Sequence, residues 1–192
     1  MSGFELKKVL ENAVNAYYEI GGIRLDTVKL ASKRLFLKAL SLNELSHINN
    51  NEMNKSGSLI EPEAIFGTIL MAIAKKIKKM QSVHEDNHSW YTYWLIIDKK
   101  TEKGIGFIGF KGLPDEDGYS EVGYSISSNY RRKGLMTEAL RTLMVWASET
   151  PSCKGIVANV LKTNIGSIKV LSNCTFQLAN TNEQENSYLH IF

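Results

Sequence analysis

The chain of 192 residues is predicted to fold as a mixed α/β protein of the α+β kind, a mostly antiparallel central sheet flanked by helices, with an extra helix at the N-terminus. Three observations predict this. Stretches with apolar residues three and four apart come between stretches in which apolar and polar residues alternate. Glycine, proline and asparagine mark the junctions. The length, with 43% hydrophobic and 22% charged residues, suits one domain that buries a core without disulfide staples and leaves about thirty residues over.

The elements follow in order. Leu6, Val9, Leu10, Ala13, Val14 and Tyr17 form one helical face, and Gly21-Gly22 stops that helix. The stripe calls for a partner, either the main domain or a second copy of the chain, so a homodimer is one expectation. Residues 34–39 (RLFLKA) alternate like a strand, and Ser41 then opens a helix with Glu44 at the capping-box offset. A longer helix is predicted over 61–81, where Ile65, Ile69, Ile73 and Ile77 fall four apart. Lys75, Lys76, Lys78 and Lys79 crowd its last turns, where cations meet the helix dipole favourably. A solvated helix end is the preferred reading there, ahead of an anion- or RNA-binding patch.

From Trp90 the period changes. Residues 90–97 (WYTYWLII) and 104–110 (GIGFIGF) read as a β-hairpin turning at 98–103. A turn at 113–119 leads to a strand at 121–127 and then to a basic, glycine-containing turn at 130–134. The next helix runs to about 149 with Leu140, Leu143, Met144 and Ala147 inward, and Pro151 lies just beyond it. A strand at 155–161, a short helix at 165–173 and strands at 176–179 and 187–192 complete the chain.

Composition narrows the classes further. It excludes a disordered tail, a collagen-like fibre and a disulfide scaffold. Two cysteines, Cys153 and Cys174, suit a reducing cytosol, so a cytoplasmic protein is expected. A formal charge of +3 is well short of the excess a dedicated nucleic-acid binder carries. The longest apolar stretch, 65–74, is about half of a membrane-spanning helix. Glu5, Lys7, Lys8 and Glu11 break the N-terminal segment, which leaves no secretory apolar region. Neither a membrane nor a nucleic acid is expected as a partner.

One formal zinc-protease match is set aside. His84-Glu85-Asp86-Asn87-His88 fits H-E-x-x-H, which needs one helical face to aim both imidazoles at a metal. Asp86 and Asn87 are poor helix-interior residues, a strand-like run follows directly, and no third ligand stands at a familiar spacing. A hydrated loop is expected, and no metal. The stronger signal is Arg131-Arg132-Lys133-Gly134-Leu135-Met136, between a predicted strand and a predicted helix. A glycine at a helix start lets backbone N–H groups converge on an anion, the dipole adds favourable potential, and the three cations supply charge. Taken alone, a pyrophosphate site and a helix start with solvated basic residues are equally good readings.

Context decides between them. Glu121-Val-Gly-Tyr-Ser-Ile, then Tyr130-Arg-Arg-Lys-Gly-Leu-Met-Thr-Glu-Ala-Leu, then Asn164-Ile-Gly-Ser-Ile-Lys-Val-Leu and Phe176 come in order. This ordered set resembles the GNAT superfamily of acyl-CoA-dependent N-acyltransferases, in particular its RimJ/RimL-like ribosomal-protein branch, over about 33–192. The resemblance implies two parts, an N-terminal helical extension at 1–32 and a GNAT domain at 33–192. It implies acetyl-CoA as co-substrate, with no metal. Arg131, Arg132, Lys133, Gly134, Leu135, Met136 and Thr137 match the loop and helix start that hold the pyrophosphate. Ile126 and Ser127 match the splayed strand end that pairs with the pantetheine arm and polarises the thioester carbonyl. Asn164 and Ser167 match the element that completes the cofactor pocket. Glu121 matches a strand glutamate that, in some relatives, helps deprotonate the acceptor amine through water.

Several positions depart from the family pattern. Met136 stands where Gly or Ala is preferred, and Arg132 replaces a frequent small residue. Leu171 stands where many members place the tyrosine that protonates the leaving thiolate, which leaves the acid unassigned among Ser172, Tyr124 and solvent, since a CoA thiolate leaves readily. Cys174-Thr175 replaces the usual glycine-containing pair before Phe176 and points to a modified turn. Glu121 has two readings, general base or an ion pair with Arg131 or Lys133. Cys174 as an acyl carrier is set below an inert buried thiol. Of Trp90, Tyr91, Tyr93 and Trp94, at least two are expected to serve packing rather than an acceptor groove. The expected reaction is acetyl transfer to a primary amine, with the N-terminal α-amine of a protein as one acceptor and a polyamine, an amino acid or an aminoglycoside-like antibiotic as alternatives. The alternative is a non-catalytic CoA-binding module.

Overall fold

Eight strands form one sheet in the order β3 (Lys29–Ala31), β4 (Leu35–Ala39), β5 (Trp94–Asp98), β6 (Gly104–Phe110), β7 (Tyr119–Ile126), β8 (Gly155–Leu161), β10 (Glu185–Ile191) and β9 (Gln177–Thr181). Every neighbouring pair is antiparallel except β7 and β8, which run parallel. The structure is a computed structural model that describes residues 28–52, 55 and 57–192, together with strands β1 (Glu19–Ile20) and β2 (Ile23–Arg24), which pair with each other. The predicted N-terminal helix, with Gly21-Gly22, lies outside the described residues.

Helices cover both faces of the sheet. On one, α4 (Leu135–Ser148) and α5 (Ile165–Asn173) pack on Leu35, Leu37, Trp94, Ile96, Ile108 and Phe110. Leu140, Leu143, Met144 and Ala147 are the inward residues of α4, as its spacing predicts. On the other, α1 (Leu42–Asn49) and α2 (Gly67–Met80) pack on Leu40, Tyr93, Leu95 and Phe107. The capping box of α1 is complete: Ser41 Oγ accepts the Glu44 N–H, and the Glu44 carboxylate accepts the Ser41 N–H. β6 is the central strand and is buried along its whole length. Its glycines permit close approach, since a Cβ on Gly106 would stand 2.4 Å from the Ser125 carbonyl oxygen.

Three expectations about elements are corrected. The helix predicted over 61–81 begins at Gly67. Ile60 bridges to Gly104, the Glu61 N–H donates to the Gly104 carbonyl, and Pro62–Ala64 forms a single tight turn, so this stretch is tied to the sheet instead. The strand predicted from Trp90 begins at Trp94, because His88–Tyr91 forms a short helical turn, α3. Trp90, Tyr93 and Trp94 are all buried. Trp90 packs on Phe110 and Trp146 with both ring centroids at 4.8 Å, and Trp94 meets the Trp146 ring at 5.1 Å. Finally, β3 carried too short an apolar pattern to be read, and it adds an edge strand before β4.

Candidate active site

The sheet opens beside Glu121. β7 and β8 pair at Tyr119–Gly155, Ser120–Ile156 and Glu121–Val157, while each strand runs on to Ile126 and Leu161. Beyond that fork β7 keeps only β6, and β8 keeps only β10. The Lys111 N–H donates to the Glu121 carbonyl, and the Ser127 N–H donates to the Ile105 carbonyl. Alternate residues of an antiparallel ladder bond the same neighbour, so Val122, Tyr124 and Ile126 turn their N–H and C=O groups into the opening. An extended chain that carries amides can pair with that edge.

The outer end of the opening leads to the basic loop. Arg131 Nε donates to the Ile126 carbonyl at 3.4 Å. Gly134 then takes φ +71° at the start of α4, a conformation glycine reaches without a Cβ penalty, and no side chain caps the helix. The N–H groups of Leu135, Met136 and Thr137 therefore have no capping side chain, an arrangement that can receive an anion. Arg131, Arg132 and Lys133 are exposed around it, with the Lys133 ammonium on the Asn129 carbonyl at 2.8 Å. Leu135 and Met136 send their side chains into the core. A methionine thus replaces the family's small residue without entering the loop.

Glu138 fastens this helix start to the turn between β3 and β4. Its carboxylate accepts the Arg34 N–H at 2.7 Å, Arg34 Nε at 2.6 Å and Ser32 Oγ at 2.8 Å, while Arg34 Nη1 donates to the Lys133 carbonyl. Partial burial pushes the Glu138 pKa up, but the donors from Arg34 and Ser32 outweigh it and hold the carboxyl below its ordinary value. A cavity of about 340 Å³ adjoins the same point, with Ser32, Arg34, Gly134 and Glu138 in its wall. Nothing in the sequence flagged Arg34 or Glu138 as partners, because 104 residues separate them.

At the inner end stands Glu121, its side chain 25% exposed, with Oε1 2.5 Å from the Lys111 ammonium. The expected partners Arg131 and Lys133 are corrected. Five residues of strand, about 17 Å, separate Glu121 from Ile126, where Arg131 binds. Lys111 is instead the cross-strand neighbour of Glu121. Ser125 lies on the Glu121 face of β7 and Ser127 just beyond the strand, and both hydroxyls are buried without a hydrogen-bond partner.

Asn164 Oδ1 accepts the Ser167 N–H at 3.1 Å and so caps α5. Tyr124 Oη donates to the Ser167 carbonyl at 3.3 Å, which joins β7 to α5 across the opening. Burial pushes the Tyr124 hydroxyl far above its ordinary value, so it stays protonated. Leu171 is buried in the core, whereas Ser172 is exposed and shares no hydrogen bond with Glu121. Thr175 takes φ +63° in the turn after α5, the left-handed position a glycine fills more easily. Both cysteines are buried, and burial raises the pKa of each thiol.

Sequence reasoning missed Lys111 as the partner of Glu121 and the burial of Lys76. Lys76 is 8% exposed rather than part of a solvated helix end, and its ammonium donates to the Tyr91 carbonyl at 3.0 Å and the Phe110 carbonyl at 2.5 Å. Burial first, then the charges of Lys79 and Lys111, lower its pKa to about 7. Lys79 Nζ donates to the Lys111 carbonyl at 2.9 Å. The helical spacing of 69, 73 and 76 was the available signal. Elsewhere, His84 caps the tight turn Glu85–Asn87 while His88 bonds the Met80 carbonyl at 2.9 Å, so the two rings do not share a helix face. Among the described residues no group of three or more metal-binding side chains is assembled, and no helix is long and apolar enough to cross a membrane.

Residues 34–177 match the acetyltransferase (GNAT) domain family. This chain belongs to that family. Among individual GNAT relatives, it is 32% identical over 98 residues to the uncharacterized N-acetyltransferase YjdG of Bacillus subtilis (strain 168), a match covering 51% of this chain and 58% of that protein. The chain matches about half the length of the curated relatives it resembles. The fold is similar to that of RimL, a ribosomal L7/L12 α-N-protein acetyltransferase, with a TM-score of 0.62 and 17% identity over 92% of this chain and 100% of that one. It is also similar to the microcin C7 self-immunity acetyltransferase MccE in complex with acetyl-CoA and AMP, with a TM-score of 0.57 and 19% identity over 84% and 94% of the two chains.

Proposed function

We propose that this protein is an acetyl-CoA-dependent N-acetyltransferase whose acceptor is a primary amine, the N-terminal α-amine of a protein. The observation that carries the reading is the opening between β7 and β8, with the Gly134 helix start at one end and Glu121 at the other. Membership of the GNAT family and the RimL-like fold support it. In this reading residues 1–32 extend a transferase domain at 33–192.

The cofactor supplies an activated acetyl thioester, and the residues along the opening suit it. The uncapped N–H groups of Leu135, Met136 and Thr137, with Arg131, Arg132 and Lys133 around them, receive a diphosphate. The free edge at Val122 and Tyr124, with the Ile126 N–H, pairs with an amide-bearing arm, and the Ser127 hydroxyl is an unused donor next to it. Asn164 and Ser167 fix α5 as the far wall of the opening. Glu121 accepts the proton that the acceptor amine must lose, directly or through one water. Tyr124, whose hydroxyl bonds the Ser167 carbonyl across the opening, is the candidate proton donor to the leaving sulfur, since Ser172 faces outward. Holding amine and thioester together supplies most of the rate.

Calorimetry with acetyl-CoA tests the cofactor claim, with Gly134→Asp as its partner variant. The aspartate sets a negative charge at the diphosphate position and forces a Cβ into φ +71°. Binding should weaken by at least about tenfold while circular dichroism stays unchanged. A failure of the wild-type protein to bind overturns the reading. The acceptor claim is tested with peptides whose N-terminal amine is free or blocked. Equal turnover of both sets would move the acceptor away from α-amines.

A further inference from the structure

We propose that Lys111 is itself an acetylation site of this enzyme, taking acetyl from the bound thioester in place of the external acceptor. The inference rests on the acetyl-transfer reading above. Glu121 stands where β7 parts from β8, at the inner end of the opening. Any amine acetylated there has to be held and deprotonated beside that carboxylate. The chain already puts a primary amine on it, since Lys111 Nζ lies 2.5 Å from Glu121 Oε1.

Lys111 is exposed and can also swing its side chain away from Glu121. It follows the last residue of β6, and its side chain is 62% exposed. Its backbone stays fixed, with the N–H on Glu121 and the carbonyl accepting Lys79 Nζ, so the amine swings on a short tether from a defined point. The neighbouring lysines do not compete. Lys76 is buried and bonded to two carbonyls, and Lys79 bonds the Lys111 carbonyl rather than the Glu121 carboxylate. Three ammonium groups crowd this corner, and acetylation removes one of the charges.

The step balances. The Lys111 ammonium gives a proton to Glu121, and the neutral amine attacks the thioester carbonyl carbon. The C–N bond forms and the C–S bond breaks, with the electron pair leaving on the sulfur of CoA. Of the two protons lost from nitrogen, one ends on that sulfur and one in solvent. The products are Nε-acetyl-Lys111 and free CoA.

The experiment is a time course of the full-length protein with acetyl-CoA, read by intact mass and peptide mapping. Lys111 should gain one acetyl group with a first-order rate that does not change on tenfold dilution of the protein. Glu121→Gln should slow the gain by at least about tenfold. Gly134→Asp should abolish it, and excess free CoA, which competes for the same site, gives the same answer if that variant fails to fold. Lys111→Arg should remove this one modification. Acetylation of Lys111 no faster than of the exposed Lys100, or insensitive to free CoA, would be uncatalysed chemistry and would overturn the proposal. Turnover of an external amine with Lys111 unmodified would overturn it too and leave the transferase reading intact. No binding of acetyl-CoA at all would overturn both.

Discussion

On one face of the central sheet, Leu35, Leu37, Trp94, Ile96 and Phe110 meet Ala139, Leu140 and Leu143, all of them fully buried. On the other face, under α2, the buried set includes the ammonium of Lys76, and Glu121 and Ser125 project from β7. The first face is apolar and aromatic, so its job is cohesion. The second keeps charges and unpaired hydroxyls where the sheet splits, at a cost in stability. The first face thus carries most of the aromatic packing, while the second admits charge into its core.

The comparison is broken most severely on the dry face. Trp94→Ala removes a fully buried indole packed on Trp146 and should cost about 3–5 kcal/mol in urea unfolding. A loss below about 1 kcal/mol would mean that this face is not the cohesive one.

The next test sharpens the contrast from the charged side. Lys76 has its folded pKa lowered to about 7, below that of the unfolded chain. Between those values the unfolded state binds the extra proton, so stability rises with pH above about 7 and is flat below it. Measured against Lys76→Met, wild-type stability should climb with a slope approaching about 1.4 kcal/mol per pH unit toward pH 10. Parallel curves for the two proteins would show that Lys76 keeps its proton throughout.

The smallest effect belongs to neither face. Thr175→Gly relieves a side chain held at φ +63° and should stabilise the protein by up to about 1 kcal/mol, less what the Thr175 hydroxyl contributes on the Cys174 carbonyl. A destabilised variant would show that this hydroxyl outweighs the strain.

Much of the fold was legible because its signals are local. The capping box at Ser41, the inward stripe of α4 and the turn at 98–103 each depend on residues within one or two turns of each other. The helix predicted over 61–81 failed at its start, where pairing with Gly104 overrides an apolar periodicity that Ile65 continues. The strand predicted from Trp90 failed because aromatic residues suit a buried helical turn as well as a strand. In the candidate site, the Gly134 loop could be read from charge and glycine together. The partner of Glu121 could not, because Lys111 meets it only through the β6–β7 register.

By itself the sequence determined the succession of helices and strands, the glycine that must open α4, and the ordered motifs that mark the family. Those are properties of short windows, where propensity, periodicity and backbone sterics act within a few residues. Tertiary structure alone decided where β7 leaves β8, that Glu138 is locked by Arg34, that Lys76 is buried, and that Lys111 sits on Glu121. Each of these joins groups far apart in the chain, and the energies of burial and ion pairing that govern them exist only once packing has set their distances.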